Sequence, residues 1–277
     1  ILAGAAVAWA NHTLIGWLFV LTLVGGVALQ VGTNIINEIY DVRHGIDQIT
    51  SPRASHALLK GILREREAFV LSAAAFGITV AVGVVLLVLR GWPMLLLGLL
   101  GLVAGYSYTA PPFQYKYRAL GVPLVFFLMG PLMVVGSYYA ITGGYAPAAL
   151  YASVPIGLLV AAILHANEWR DISDDALTGF RTLSSEIGGL QAHRLFIGLI
   201  TGAFLSIVIA TMAHLLPTSA LLALLSLPIF VSVLRKSELG AGGHTRALSM
   251  IDLATARLHL VFGLLLVIGL GLARYTS

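Results

Sequence analysis

Two clusters of oxygen-bearing side chains share one spacing in this chain. Asn37 is followed four residues later by Asp41, and Asn167 is followed four residues later by Asp171. Residues four apart lie on one face of a helix, so each pair would present an amide and a carboxylate in the same direction. Hard oxygen ligands suit Mg²⁺, which also shares phosphate oxygens. The pattern predicts a metal site built from two halves that holds a diphosphate.

Further charged residues extend both clusters. Asp47 follows the first and Asp175 the second, and we expect both carboxylates to bind metal together with the four residues above. Basic side chains would complete the clamp on a diphosphate, in which Asn37 and Asn167 would also take part. The basic candidates are Arg53, Lys60, Lys116 and Arg170. Arg170 could instead pair with a neighbouring carboxylate.

The rest of the chain is too apolar for a soluble domain. Its 277 residues are 58% hydrophobic and 10% charged, and the absence of cysteine excludes disulfides and thiolate metal sites. Uncharged runs of about 20 residues indicate transmembrane helices. Carboxylates at membrane depth are costly and commonly functional. We predict an all-α polytopic membrane protein in which residues 1–277 form a single integral-membrane domain.

Nine apolar segments predict nine transmembrane helices. They span residues 1–11, 14–41, 65–89, 92–110, 122–143, 146–170, 192–214, 216–235 and 254–273. The first is too short to cross a bilayer, and we expect it to be the truncated remainder of a longer helix. Backbone groups in lipid must be paired internally, and these runs do not alternate as barrel strands do, so they are read as helices.

The basic residues lie almost entirely on one side of this topology. Fourteen of the sixteen Lys and Arg residues lie in or beside the loops that follow segments two, four, six and eight. The two exceptions are Arg90 and Arg274. The positive-inside rule makes that side cytoplasmic and accounts for the net charge of +4 without nucleic acid. Both motifs then lie at cytoplasmic C-terminal helix ends, where the helix dipole favours a cation.

Aromatic side chains between the motifs could line a pocket for a second substrate. Tyr108 and Tyr115 could stabilise a cationic intermediate over a π face, although interface anchoring alone would also explain them. His165 stands two residues before Asn167 and could contact substrate or have a hydrogen-bonded structural role. Asp252 is far from both motifs in sequence and is read as a solvated loop charge.

Both motifs resemble those of the UbiA superfamily of intramembrane prenyltransferases. The first reads Asn37-x3-Asp41-x3-Gly45-x-Asp47, and the second reads Asn167-x2-Arg170-Asp171-x3-Asp175-x3-Gly179-x2-Thr182-Leu183. Between them, Tyr115-Lys116-Tyr117 and Leu120-Gly121 resemble the family's tyrosine/lysine loop. The pattern is most similar to the 1,4-dihydroxy-2-naphthoate polyprenyltransferase branch, but Val122 stands where the family usually has Asp or Glu.

The resemblance implies a multi-pass enzyme of the cell membrane whose active site faces the cytoplasm. Such an enzyme uses Mg²⁺ to transfer a polyprenyl group from a polyprenyl diphosphate to an aromatic acceptor. In the naphthoate branch the acceptor loses its carboxylate as carbon dioxide, in menaquinone biosynthesis. The resemblance also implies that Asp41, Asp171 and Lys116 are catalytic residues.

Two alternatives remain open from the sequence. A family member could use another acceptor, such as 4-hydroxybenzoate or a glycerol phosphate lipid. The acids could also belong to a cation or small-molecule transporter, although transporter sites commonly lie near the midplane on interrupted helices.

Overall fold

A computed structural model describes residues 1–45, 57–172 and 181–275 of the chain. The described residues are helical, apart from loops and one isolated bridge between Arg118 and Arg181, which confirms the predicted all-α class. Besides short 3₁₀ turns, the helices are α1 (Leu2–Ala10), α2 (Gly16–Arg43), α3 (Glu65–Arg90), α4 (Trp92–Ser107), α5 (Gly121–Thr142), α6 (Pro147–Arg170), α7 (Leu183–Ile187), α8 (Gly189–Met212), α9 (Thr218–Ala241) and α10 (Ile251–Leu272).

Seven of these helices are long and apolar enough to cross a membrane. They are α2, α3, α5, α6, α8, α9 and α10. Each of the nine predicted segments overlaps a helix, but α1 has 9 residues and α4 has 16. At 1.5 Å per residue, α4 is about 24 Å long, which is less than the roughly 30 Å of a hydrocarbon core. The predicted count of nine spans is therefore not confirmed within the described residues.

The close approach of α5 and α6 depends on two glycines. A Cβ atom added to Gly130 would lie 2.8 Å from the Cα atom of Gly157 and 3.0 Å from the carbonyl oxygen of Ser153. Small residues allow helix backbones to approach in this way in membranes. A π turn at Leu128–Leu132, which contains Pro131, interrupts α5 at the same level. The contact fixes the position of α6, which carries the second motif.

The larger core joins α1, α5, α6, α8, α9 and α10. Its fully buried side chains include Phe196, Ile200, Leu258 and Phe262. The first motif belongs to a separate packing unit, because α2 packs mainly on α3, where the Ser72 hydroxyl donates to the Gly32 carbonyl at 3.0 Å. The two motifs therefore approach each other from two differently packed helix groups.

Charged contacts mark the two ends of the bundle. Arg43 at the end of α2 lies 2.5 Å from Glu65 at the start of α3, at the end that carries the motifs. At the opposite end of α3, Arg90 donates to the carbonyl oxygens of Ala140 and Ile141 at 3.0 and 2.7 Å. Arg90 thus lies at the end of α3 away from the motifs, as the loop alternation predicts.

Candidate active site

A largely buried ion pair closes the first motif at the end of α2. The Lys116 ammonium, in the 3₁₀ turn after α4, lies 2.6 and 2.8 Å from the two carboxylate oxygens of Asp41 and 3.3 Å from Asn37 Oδ1. The Tyr117 hydroxyl donates to the same carboxylate at 2.7 Å. The Asp41 side chain is only 8% exposed and that of Lys116 19%. One lysine thus contacts both polar residues of the motif.

The loop that carries Lys116 folds back on the end of α4. The Lys116 backbone amide donates to the Tyr108 carbonyl at 2.9 Å, and the Tyr115 hydroxyl donates to the Ala104 carbonyl. Gln114 and Ala119 have φ angles of 47° and 57°, a left-handed conformation that residues with a Cβ atom rarely adopt. These bends turn the lysine side chain towards α2.

An arginine closes the second motif in the same way at the end of α6. Arg170 donates through Nε and Nη2 to the two carboxylate oxygens of Asp171, each at 2.6 Å, and Nη2 also donates to Asn167 Oδ1. A third partner is Asp252, in the first turn of α10, whose Oδ2 atom accepts from Nη1 at 2.8 Å. Each Asn-x-x-x-Asp motif is therefore held by a cation that contacts both its amide and its carboxylate.

A long cavity of about 560 Å³ begins between these motifs. Its polar end is lined by Asn37, Tyr108, Tyr115, Asn167 and Asp252. On α2 the lining extends from Asn37 to Thr22, a rise of about 22 Å at 1.5 Å per residue. Most of the remaining wall is aliphatic or glycine and belongs to α2, α3, α4, α5 and α6.

Two neutral tyrosines shape the polar end of the cavity. The rings of Tyr108 and Tyr115 meet edge to face with centroids 5.3 Å apart, and the Lys116 ammonium lies 5.9 Å from the Tyr108 ring centroid. Burial raises the pKa of Tyr115 to about 12 and the pKa of Tyr108 well above its usual 10. Both residues therefore remain phenols at neutral pH and offer uncharged π faces.

His165 lies away from this cavity, where it joins three helices. It is fully buried, and its ring nitrogens lie 2.8 Å from the Ala192 carbonyl oxygen and 3.2 Å from the Ser184 hydroxyl. The structure places it among the contacts of α6 with α7 and α8 and not in the cavity lining. This position fits the structural alternative, because both ring nitrogens already have protein partners.

Lys60 is the remaining predicted site residue that the structure describes. Lys60 is exposed in the turn before α3, and no hydrogen bond joins it to either motif within the described ranges. Asp47, Arg53 and Asp175 lie outside the described residues.

The amide and carboxylate oxygens of the two motifs are ligands that suit Mg²⁺, but in this structure they are paired with the side chains of Lys116 and Arg170. Asp41 faces an ammonium group and Asp171 faces a guanidinium group. In the part of the chain that the structure describes, no three His, Cys, Asp or Glu side chains are close enough together to bind one metal ion. Magnesium binding at the paired amides and carboxylates stays a prediction.

The structure adds two polar groups to the site that the sequence did not assign to it. Tyr117 contacts Asp41, and its position beside Lys116 in the sequence was the available signal. The interpretation of Asp252 as a solvated loop charge is wrong, because its side chain is only 13% exposed and is paired with Arg170. Its only sequence signal was a carboxylate at the start of an apolar helix.

The chain is similar to known proteins over most of its length. The 1,4-dihydroxy-2-naphthoate octaprenyltransferase of Bacillus subtilis (strain 168) is 29% identical over 255 residues, which cover 91% of this chain and 81% of that protein. The 2-carboxy-1,4-naphthoquinone phytyltransferase of Synechocystis sp. (strain ATCC 27184 / PCC 6803 / Kazusa) is 25% identical over 261 residues, with coverage of 93% and 83%.

Structural comparison and a family model agree with these relatives. The apo structure of a UbiA homolog from Aeropyrum pernix K1 matches with a TM-score of 0.74 at 19% identity and covers 96% of this chain and 94% of that chain. This likeness shows a shared fold, and the apolar helices make the protein a multi-pass membrane protein. Residues 1–250 match the model of the UbiA prenyltransferase family, and the chain therefore belongs to that family.

Proposed function

We propose that this protein transfers a polyprenyl group from a polyprenyl diphosphate to 1,4-dihydroxy-2-naphthoate, with Mg²⁺ as cofactor and loss of the ring carboxylate. The observation that carries the proposal is the pair of cation-closed Asn-x-x-x-Asp motifs at the polar end of a long apolar cavity. The names of the bacterial and cyanobacterial relatives favour a naphthoate acceptor. The reaction would be a step of menaquinone biosynthesis at the cytoplasmic face of the cell membrane.

The cavity would hold the polyprenyl tail. Its wall offers aliphatic side chains such as Leu29, Leu97 and Leu132, and burial of apolar surface contributes about 25 cal/mol per Å². Glycines at the wall keep the space open, since a Cβ atom added to Gly83 or Gly98 would meet no atom within 4 Å. The tail would therefore lie along α2, with its diphosphate between the two motifs.

The polar end would bind and activate the diphosphate. Asn37, Asp41, Asn167 and Asp171 would hold the metal, which supplies Lewis-acid charge when bound. Lys116 and Arg170 would then donate to the departing diphosphate, because cationic donors placed where negative charge develops lower the barrier. As the carbon–oxygen bond to the diphosphate breaks, a carbon–carbon bond forms to the acceptor ring, and the ring carboxylate leaves as carbon dioxide.

The tyrosines would protect and orient the reacting carbon. A cation within about 6 Å of an aromatic face is attracted by the ring quadrupole, and neutral Tyr108 and Tyr115 lie at the cavity end where the allylic carbon would sit. The apolar wall would exclude water, which otherwise captures such a cation.

One assay separates this proposal from its rivals. Purified protein is incubated with Mg²⁺, a labelled polyprenyl diphosphate and, separately, 1,4-dihydroxy-2-naphthoate, 4-hydroxybenzoate or a glycerol phosphate lipid. We expect diphosphate release, carbon dioxide and prenylated product with the naphthoate. Product with another acceptor alone would replace the acceptor in the proposal. No product with any acceptor, together with ion flux in vesicles, would favour a transporter.

A further inference from the structure

The guanidinium group of Arg170 is shared by two carboxylates from different helices. Nε and Nη2 contact Asp171, the next residue, whereas Nη1 contacts Asp252, which lies 82 positions later on α10. The Arg170 and Asp252 side chains are 17% and 13% exposed, and that of Asp171 is 31% exposed. The link to α10 is thus the more buried of the two ion pairs.

The two motifs differ in charge because of this third residue. Lys116 and Asp41 form a one-to-one pair, but one guanidinium charge at the second motif is divided between two carboxylates. A cation that pairs with two carboxylates holds each of them less firmly than a cation that pairs with one, because the two carboxylates also repel each other. Asp171 makes two contacts with Arg170 at 2.6 Å and Asp252 makes one at 2.8 Å. Asp171 is nevertheless the more exposed carboxylate, so it is the one that a ligand from solution can reach.

We propose that Asp252 is a positioning residue that keeps Arg170 at the cavity end while Asp171 passes from the arginine to the metal–diphosphate head of the substrate. When Asp171 leaves, Nη1 keeps its charged hydrogen bond to Asp252 on α10. The freed Nε and Nη2 groups then stay beside Asn167 and Asp252, which both line the cavity. Without the second carboxylate, Arg170 stays paired with Asp171 and competes with the metal. This inference rests on the proposed prenyl transfer.

The test measures how the whole protein responds to Mg²⁺ without turnover. Thermal unfolding in detergent is followed during a Mg²⁺ titration at a fixed concentration of farnesyl S-thiolodiphosphate, which resists cleavage. We expect Asp252→Asn to raise the half-saturating Mg²⁺ concentration about tenfold, equal to about 1.4 kcal/mol. Asp252→Glu should restore it to within about twofold, because the carboxylate is kept. Asp252→Ser is the substitute if the amide variant does not fold.

A matched control removes an ion pair outside the site. Glu65→Gln breaks the exposed pair with Arg43 at the same end of the bundle and should leave the titration unchanged. In steady-state transfer, Asp252→Asn should raise KM for the prenyl diphosphate more than it lowers kcat at saturating Mg²⁺, a split that a general loss of folding would not produce.

The outcomes distinguish this inference from the proposed function. A parent protein that transfers prenyl groups, with an Asp252→Asn variant that titrates like the parent, would overturn the role of Asp252 alone. An Asp252→Glu variant as impaired as Asp252→Asn would also overturn it. A parent that shows neither Mg²⁺-dependent stabilisation nor transfer would overturn the proposed function and this inference together.

Discussion

The ion pair between Lys116 and Asp41 should stabilise the fold as well as shape the site. Replacing Lys116 by Met leaves the Asp41 carboxylate, 8% exposed, without its ammonium partner. Removal of one partner from a buried pair costs about 3–5 kcal/mol. We expect about 3 kcal/mol, because the Tyr117 hydroxyl still donates to Asp41. At about 2–4 °C per kcal/mol for a chain of this size, the unfolding midpoint should fall by roughly 6–12 °C.

A double-mutant cycle measures the pairwise contribution directly. The thermal midpoints of the parent, Lys116→Met, Asp41→Asn and the double variant are compared in one detergent without Mg²⁺. The double variant should be more stable than the sum of the two single losses predicts, with a coupling of about 2 kcal/mol. The control Glu65→Gln breaks a pair whose side chains are 44% and 50% exposed, and it should cost at most about 1 kcal/mol.

Additive losses would refute the reasoning. If the two single effects sum to that of the double variant within about 0.5 kcal/mol, the ion pair contributes no net stability. A Lys116→Met variant no less stable than Glu65→Gln would show that the Asp41 carboxylate is not effectively buried.

Three further predictions concern the cavity, the helix packing and the loop. Gly98→Leu should reduce transfer of an octaprenyl tail more than transfer of a geranyl tail, because the new side chain enters the cavity. The control Gly263→Leu, where an added Cβ atom also meets nothing within 4 Å, should affect both tail lengths equally. Equal effects of Gly98→Leu on the two tails would contradict the tail site. Gly130→Ala should destabilise the protein by about 1–3 kcal/mol in thermal unfolding, since its Cβ atom would lie 2.8 Å from α6, and Gly263→Ala should cost less. Burial raises the pKa of Tyr115 to about 12, so the folded state keeps the phenolic proton more firmly than the unfolded state does. The contribution of this proton to stability is complete below pH 10 and is lost as pH rises from about 10 to 12. Tyr115→Phe should abolish that part of the alkaline loss, and a pH profile of the unfolding midpoint equal to that of the parent would contradict the prediction.

The sequence predicted the helical class and the motif pairing because both depend on local spacing. Asn37 and Asp41 are one helical turn apart, and the structure brings both to the same lysine. The number of spans was not predictable from apolar runs alone. The run 92–110 continues past Ser107, where α4 ends, because the loop begins with Tyr108, Thr109 and Ala110, and the last two are fully buried without being helical.

The second ion-pair partner of Arg170 could not be found by spacing. Asp252 lies 82 positions further along the chain, and only the packing of α10 against α6 brings the two together. His165 is the opposite case: it lies two residues before Asn167 in the sequence, which suggested that its side chain could contact substrate in the pocket. One residue position rotates a side chain by about 100° around a helix, and His165 accordingly packs towards α7 and α8.

The central claim is that the two motifs form one diphosphate-activating site. The most direct measurement is the initial rate of diphosphate release from a labelled polyprenyl diphosphate, with Mg²⁺ and 1,4-dihydroxy-2-naphthoate, for the parent, Asp41→Asn and Asp171→Asn. We predict that each substitution alone lowers the rate at least about a hundredfold, because each removes a carboxylate that would hold the metal, and the metal would stabilise the negative charge developing on the diphosphate. A rate close to that of the parent in either variant, in protein shown to be folded, would contradict the two-motif site.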